Sequence, residues 1–289
     1  MTTRSGTSPP GRSALLPVVR SSRWVWPGRA GSVAEVSVVI PVRNDGEHLR
    51  QCLGALARQT VSPLEVIIVD NASTDDSADV ARAHGARVIT EPSIGIPAAA
   101  ATGYDAALGS VIARLDADSV PADDWVEQVR KALDHRPHAV AVSGFGVFHD
   151  APFGLRRLLP IVYLGTYYLL GAAAAGHHVL WGSSMAVRRE AWAVVSERVH
   201  RGEREIHDDM DLALVLGPRA RVSLVTTLTV GASVRSLHGL PQLRRRLDRA
   251  FRTLRLNWHE APPWERWAVT LRLTPRTEHG QHTGEVDHR

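Results

Sequence analysis

Two groups of carboxylates stand out by their spacing. Asp116-Ala117-Asp118 follows the apolar run Val111-Ile112-Ala113-Arg114-Leu115, and Asp208, Asp209 and Asp211 crowd together between His207 and Leu212. Two carboxylates one residue apart at a strand end can share a small divalent cation, or one can bind a sugar hydroxyl while the other binds the metal. Hard oxygen ligands select Mg or Mn, ions whose shells are completed by waters and substrate phosphates. An Asp-x-Asp by itself is often a pair of solvated loop acids. Its place at the end of an apolar strand, with two further strand ends nearby, is what favours chemistry. The second group has a plain account as well, since acids at a helix start complement the helix dipole. Capping needs only one acid, however, and close carboxylates repel. One member of such a cluster tends to carry a raised pKa and to serve as a base; Asp209 is the expected one.

These acids need elements to carry them. Val36–Ile40 reads as a buried strand that breaks at Pro41 into Val42-Arg43-Asn44, and Leu64–Val69 as a second strand ending in Asp70-Asn71-Ala72-Ser73. Val111–Leu115 is a third, with a short strand Arg87–Ile89 before it. Leu49, Cys52, Leu53 and Leu56 repeat at helical spacing between the first two strands. Ser73-Thr74-Asp75-Asp76 reads as the start of a second helix, ending at Gly85, and Gly95–Ala107 as a third. Alternating strands and helices imply right-handed crossovers and a mostly parallel sheet, whose carboxyl edge is where ligands bind. No glycine-rich dinucleotide fingerprint follows the first strand and no Walker-type loop occurs.

Beyond Asp118 the pattern gives a helix over Pro121–Leu133, a strand over Ala139–Ser143, a loop Trp181-Gly182-Ser183-Ser184 entering a strand, and a short helix Arg188–Val195. Another helix opens at His207, and two strands, Val222–Val225 and Leu228–Val230, finish the unit. Between them Leu158–Gly176 is uncharged and long enough to be weighed as a membrane span. Its Pro160, Gly165 and terminal alanines make a buried or interfacial helix the better reading. From Leu243 a basic amphipathic helix puts Leu243, Leu247, Phe251 and Leu254 on one face and arginines around the rest. Such a helix suits an anionic membrane surface, a cap over the site, or plain solvent. His177 and His178 lack a third ligand at metal spacing and read as surface residues.

At 289 residues with a formal charge of +4, the chain is long enough for a full core, and its basic balance suits a phosphate-bearing ligand better than nucleic acid. Cys52 is the sole cysteine, which excludes a disulfide framework and a thiolate zinc site. No segment reads as a secretory signal, and the expected setting is cytoplasmic, with a peripheral contact at the cytoplasmic membrane face.

Taken in order, Val38-Val39-Ile40-Pro41-Val42-Arg43-Asn44, Val69-Asp70-Asn71-Ala72-Ser73-Thr74-Asp75, Asp116-Ala117-Asp118 and Asp208-Asp209-Met210-Asp211-Leu212 resemble the family-2 glycosyltransferases of the GT-A fold. The resemblance implies an α/β fold with a Rossmann-like, mostly parallel central sheet flanked by helices. It covers about residues 35–235, as a nucleotide-binding half over 35–118 and an acceptor half over 119–235. A disordered lead-in over 1–34 and a basic helical extension over 236–289 complete the expected organisation. The implied activity is inverting transfer from a UDP- or GDP-sugar to a hydroxyl acceptor, whether a saccharide, a lipid-linked glycan of the cell envelope or a small molecule. Pro41, Arg43 and Asn71 would contact the nucleotide, Asp116 the ribose, Asp118 a divalent metal (Mn or Mg), and Asp209 would be the general base. Gly182, Ser183 and Asp208 would border the acceptor.

One departure matters. Where that family often has Ala-Arg-Asn-x-Gly, this chain has Ala99-Ala100-Ala101-Thr102-Gly103, without the arginine expected near the diphosphate. Arg43 or an arginine of the 244–255 helix is the expected substitute. A non-catalytic sugar-nucleotide binder is the rival this gap supports. A nucleotidyltransferase is the rival from another enzyme class, though it should carry a glycine-rich basic loop after the first strand. Gln242-Leu243-Arg244-Arg245-Arg246 echoes the Gln-x-x-Arg-Trp element of processive members but lacks its tryptophan.

Overall fold

The sheet is built outwards from Val36–Val42 (β1), a run so apolar that both of its faces must be covered. The computed structural model describes residues 34–148, 158–232 and 239–272. The expected lead-in, with Trp24 and Trp26, and the last dozen residues, expected to fray, lie outside them. After β1 come α1 (Gly46–Ala57), β2 (Glu65–Asp70), α2 (Ser77–Ala83), β3 (Arg87–Thr90), α3 (Ile96–Ala106) and β4 (Val111–Arg114). There follow β5 (Val120–Pro121), α4 (Trp125–Asp134), β6 (Ala139–Phe148), α5 (Leu158–Ala175), β7 (Met185–Arg188) and α6 (Arg189–Val195). Then come α7 (Asp208–Leu216), β8 (Arg221–Ala232), α8 (Leu240–Glu260) and α9 (Pro263–Thr270).

All eight strands join one sheet in the order β3-β2-β1-β4-β7-β6-β8-β5. The first four run parallel, β7 is antiparallel to β4 and β6, β8 is parallel to β6, and β5 is antiparallel to β8. Side chains alternate between the faces, as strand geometry requires. Val39, Ile67, Val69 and Ile112 join the core under α3, α5, α6 and α7. Val38, Ile40, Ile68 and Ala113 face α1 and α4. Gly103 lets α3 lie directly on the sheet, because a Cβ there would run into Val39 and Val69.

Several boundaries differ from the sequence reading. β1 does not break at Pro41 but continues to Val42 beside β2. Val38, Ile40 and Val42 turn their backbone groups to β2, so Pro41 turns its side without an N–H towards β4, whose pairing with β1 stops at Val39 and Arg114. The ring therefore removes no ladder bond. Ser73 does not cap α2. Its hydroxyl accepts the N–H of Asn44, and the helix starts at Ser77, whose N–H and hydroxyl both donate to Asp75. α4 begins at Trp125, because Val120-Pro121 pair with Val230 and Gly231 as an edge strand. The two expected final strands are one, β8, with an irregularity against β6 between the Ser143–Leu224 and Phe145–Thr229 pairs.

Among the described residues α5 alone is long and apolar enough to cross a membrane. One stripe of it, Pro160, Leu164, Tyr168, Gly171 and Ala175, is buried. The Tyr168 hydroxyl lies 2.9 Å from Ser143 Oγ and donates to the Gly144 carbonyl at 2.6 Å. Nor is His177 on the surface: its ring lies between the carbonyls of Ala175 and Ala213, and burial pushes its pKa down. The basic extension packs back on the domain, where Thr253 Oγ1 accepts the N–H of His207 and Asn257 Nδ2 donates to Asp211 Oδ1.

Candidate active site

The carboxyl ends of β1 and β2 form a polar edge whose loops are tied to each other. Asn44 Oδ1 accepts from Thr74 N, Asp70 Oδ1 accepts from Ser73 N, and Asp75 Oδ2 accepts from Gly46 N. Asn44 and Ala72 both adopt left-handed backbone conformations here, with φ of 52° and 54°. For a residue with a Cβ this costs about 1–2 kcal/mol, a strain that concentrates at functional sites. Pro41 is half-buried and Arg43 exposed on this edge. Asn71 is nearly sealed from solvent. Its amide donates to the carbonyls of Glu91 and Ser93 and accepts from Gly95 N, at 2.7–2.9 Å. All three bonds hold the 91–95 loop, so the side chain shapes the edge and has no amide group turned outward.

The acids meet around a residue that the spacing argument did not single out. Arg114 closes β4 with its side chain 3% exposed. Its Nη1 donates to Asp208 Oδ2 at 2.7 Å and its Nη2 to Asp116 Oδ1 at 2.9 Å. It thus joins the strand end to α7 across 94 residues of sequence. The 181–184 loop completes the cluster: Ser183 Oγ donates to Asp116 Oδ2 at 2.5 Å, and Gly182 N donates to Asp209 Oδ2 at 2.7 Å. Asp209 Oδ1 accepts from Met210 N at 2.7 Å. A Cβ on Gly182 would run into the Arg114 guanidinium, so the loop can close over it only with glycine there. A sequence clue to Arg114 existed, because an arginine inside a buried strand is rarely left unpaired.

The electrostatics follow from crowding. Burial would strip Arg114 of its proton, but Asp208, Asp116 and Asp209 hold it and raise its pKa well above the ordinary value. Burial pushes Asp208 up to about 7; the pull of Arg114 opposes this, and repulsion from Asp209 and Asp116 adds to it. Asp211, the third acid, belongs to the scaffold, since it accepts from His200 N and from Asn257 and lies 2.7 Å from His200 Nδ1. Asp118 is half-buried beside Asp116. Beneath the pair lies Cys52, whose thiol is pushed up by burial and then by the charges of Asp118 and Asp116.

The alanines that stand in place of the expected arginine and asparagine, Ala100 and Ala101, are buried in the core. Of the expected substitutes, Arg43 is exposed, Arg246 donates to the Tyr163 hydroxyl and Arg249 to Glu205. The cation at the acids is Arg114. Among the described residues no three His, Cys, Asp or Glu side chains are grouped as a closed metal cage. Asp118, half-buried beside Asp116, fits instead the sparse carboxylate contribution to an ion shared with substrate phosphates.

A parallel β-α-β half ending in Asp-x-Asp, joined through an antiparallel strand to a half bearing an acidic helix start, is the GT-A glycosyltransferase fold. Solved structures agree. The chain is similar to the mannosyltransferase PcManGT from Pyrobaculum calidifontis in complex with GDP-Man and Mn2+, with TM-score 0.62 and 20% identity over 83% of this chain and 70% of that one. It is also similar to glucosyl-3-phosphoglycerate synthase from Mycobacterium tuberculosis in complex with Mn2+, UDP and phosphoglyceric acid, with TM-score 0.55 and 18% identity over 78% of both. In sequence it is 37% identical over 101 residues to glycosyltransferase AglE of Haloferax volcanii, covering 32% of this chain and 33% of that protein. The chain spans about a third of the length of such curated relatives. The profile described as "Glycosyl transferase family 2" matches residues 37–194, more than half of the chain, and the chain belongs to that family.

Proposed function

We propose that this chain transfers a sugar from a nucleoside-diphosphate sugar to a hydroxyl acceptor, with inversion at the anomeric carbon. One observation carries the reading: Arg114 draws Asp116, from the end of the donor half, and Asp208, beside the expected base, to a single point. The donor would lie along the β1–β2 edge, with Pro41 and Arg43 against the nucleotide and the Asn71-held loop as its wall. Asp116 would take the ribose, and Asp118 would hold a divalent cation, Mn or Mg. When bound, that ion would neutralise charge developing on the leaving diphosphate. Arg114 would supply a second, permanent positive charge beneath it, in place of the arginine absent from α3.

Asp209 suits the base by position, while the raised pKa expected of the base falls on its neighbour Asp208. Two backbone N–H groups fix the Asp209 carboxylate while leaving a lone pair on each oxygen for an incoming hydroxyl. The acceptor oxygen would lose its proton to Asp209 and bond the anomeric carbon as the bond to the diphosphate breaks. With Asp209 as the base and no second residue assigned as a nucleophile, the reaction would be a single displacement. Gly182, Ser183 and Asp208 would border the acceptor. The catalytic unit would be 35–235, with 236–289 an extension whose described helices α8 and α9 pack on it, and a nucleotide-sugar donor suits the cytoplasm. The solved relatives with GDP-Man, or with UDP and phosphoglyceric acid, support this donor class.

The test is a panel of UDP- and GDP-sugars with Mn or Mg, read by thermal shift and by release of the nucleoside diphosphate. A donor should stabilise the chain, more so with metal, and Asp118→Ala should abolish the metal-dependent part. Stabilisation by no donor would overturn the reading, and binding without turnover on any acceptor would favour a non-catalytic binder.

A further inference from the structure

The side of the molecule carrying α5, α8 and α9 exposes large apolar side chains to solvent. α5 has no charged residue, and opposite its buried stripe it exposes Leu158, Ile161, Val162, Leu169 and Leu170, the last two by 71% and 63%. α8 and α9 lie along it: Arg246 Nη1 donates to Tyr163 Oη at 2.6 Å, Trp258 Nε1 to the Ala174 carbonyl at 3.1 Å, and Trp267 Nε1 to the Ala173 carbonyl at 2.8 Å. On α8 the residues Leu243, Leu247, Phe251, Leu254 and Trp258 form one stripe. Its last two members are half-buried, and the first three stay open to solvent beyond them. Trp264 on α9, 71% exposed, adds an aromatic edge. Arg244 and Arg255 are exposed along one margin of the stripe, and Arg245 and Arg252 farther round the helix, with Asp248 exposed among them.

We infer that this face docks on the surface of an anionic lipid bilayer. Contiguous exposed apolar side chains mark an interaction surface. An apolar stripe flanked by arginines, with tryptophan at its margin, matches the depth profile of a bilayer interface, where acyl chains, headgroup dipoles and lipid phosphates succeed one another. The arginines favour lipid over a second copy of the chain, because a two-fold contact through this face would set the same cations against each other. A spanning α5 is excluded by its packed stripe, since Leu164 and Tyr168 would have to leave the sheet. The inference stands without the transfer reaction, but gives it a setting: α8 is bonded to both ends of the segment carrying Asp208 and Asp209, through His207–Thr253 and Asp211–Asn257.

Flotation of the purified full chain with phosphatidylcholine vesicles, with and without phosphatidylglycerol, tests this. Binding should be at least about tenfold stronger with phosphatidylglycerol, as expected for several arginines at an anionic surface. Leu169→Glu/Leu170→Glu should weaken it by at least about tenfold. Arg244→Gln/Arg245→Gln/Arg252→Gln/Arg255→Gln should reduce it to the level seen on neutral vesicles. The arginine variant decides the matter should the first variant lose its circular dichroism. Absence of vesicle binding, or binding indifferent to lipid charge and to the arginines, would overturn the inference. So would a dimer in sedimentation velocity that Leu169→Glu dissociates while vesicles take up nothing.

Discussion

The edge at the ends of β1 and β2 and the wall formed by Arg114, α7 and the 181–184 loop hold their polar groups by different means. On the edge the bonds are mostly to backbone and the polar partners mostly neutral: Asn71 is satisfied by three main-chain groups, and Asn44 by the loop after β2. On the wall one buried cation serves two carboxylates with a third beside them, and the crowded charges shift both Arg114 and Asp208. Contacts of the first kind contribute roughly 1 kcal/mol each and add nearly independently. Those of the second kind stand or fall as a group, because removing one partner leaves an uncompensated charge out of water. The edge can tolerate change residue by residue, whereas the wall cannot.

The sharpest test of this contrast is Asp209→Asn. Transfer should fall by about 10²–10⁴-fold, the range for loss of a positioned base, while titration calorimetry shows donor affinity unchanged. Normal transfer would move the base elsewhere on the wall. Next in size is Arg114→Met, which should cost about 3–5 kcal/mol in urea unfolding. Adding Asp208→Asn to it should restore at least about 1 kcal/mol, and strict additivity of the two changes would break the claim that the wall is coupled. A smaller effect is expected with pH. The Asp208 carboxyl titrates at 3.8 without its surroundings and at about 7 within them. Between those values the folded state holds the extra proton, so this residue's contribution to stability declines as pH rises through that window. Asp208→Asn should flatten the slope. The mildest is Asn71→Ala, expected to cost about 1–2 kcal/mol and to add to Arg114→Met within about 0.5 kcal/mol.

The two regions also differed in how plainly the sequence announced them. β1, β2 and β4 are mostly apolar runs covered on both faces, and such runs permit little besides a parallel sheet. The mixed half was harder to read. Leu228 and Val225 looked like members of separate strands because the irregularity beside Ser143 interrupts the alternation, and only pairing with β6 keeps β8 in one piece. Asp116 and Asp208 were visible as acids, and an arginine in a buried strand announced a partner, but not which one. Contact across 94 residues is a product of topology, and local spacing has nothing to say about it. Asn71 carries a role the spacing did not show: a polar residue at a strand end reads as a ligand contact, and its amide holds the 91–95 loop. The exposed side of α5 had the same appearance in sequence as a buried helix, since composition does not tell which of two apolar faces a sheet will cover.

Cys52, the chain's sole cysteine, lies fully buried under Asp116, and burial keeps its thiol protonated. A thiol reagent can reach it only when α1 lifts from the floor of the Asp-x-Asp turn. Labelling kinetics at this one atom therefore time the opening of that floor, with no probe having to be engineered. If a nucleotide and its metal clamp the turn from above, they should slow this clock in proportion to their occupancy.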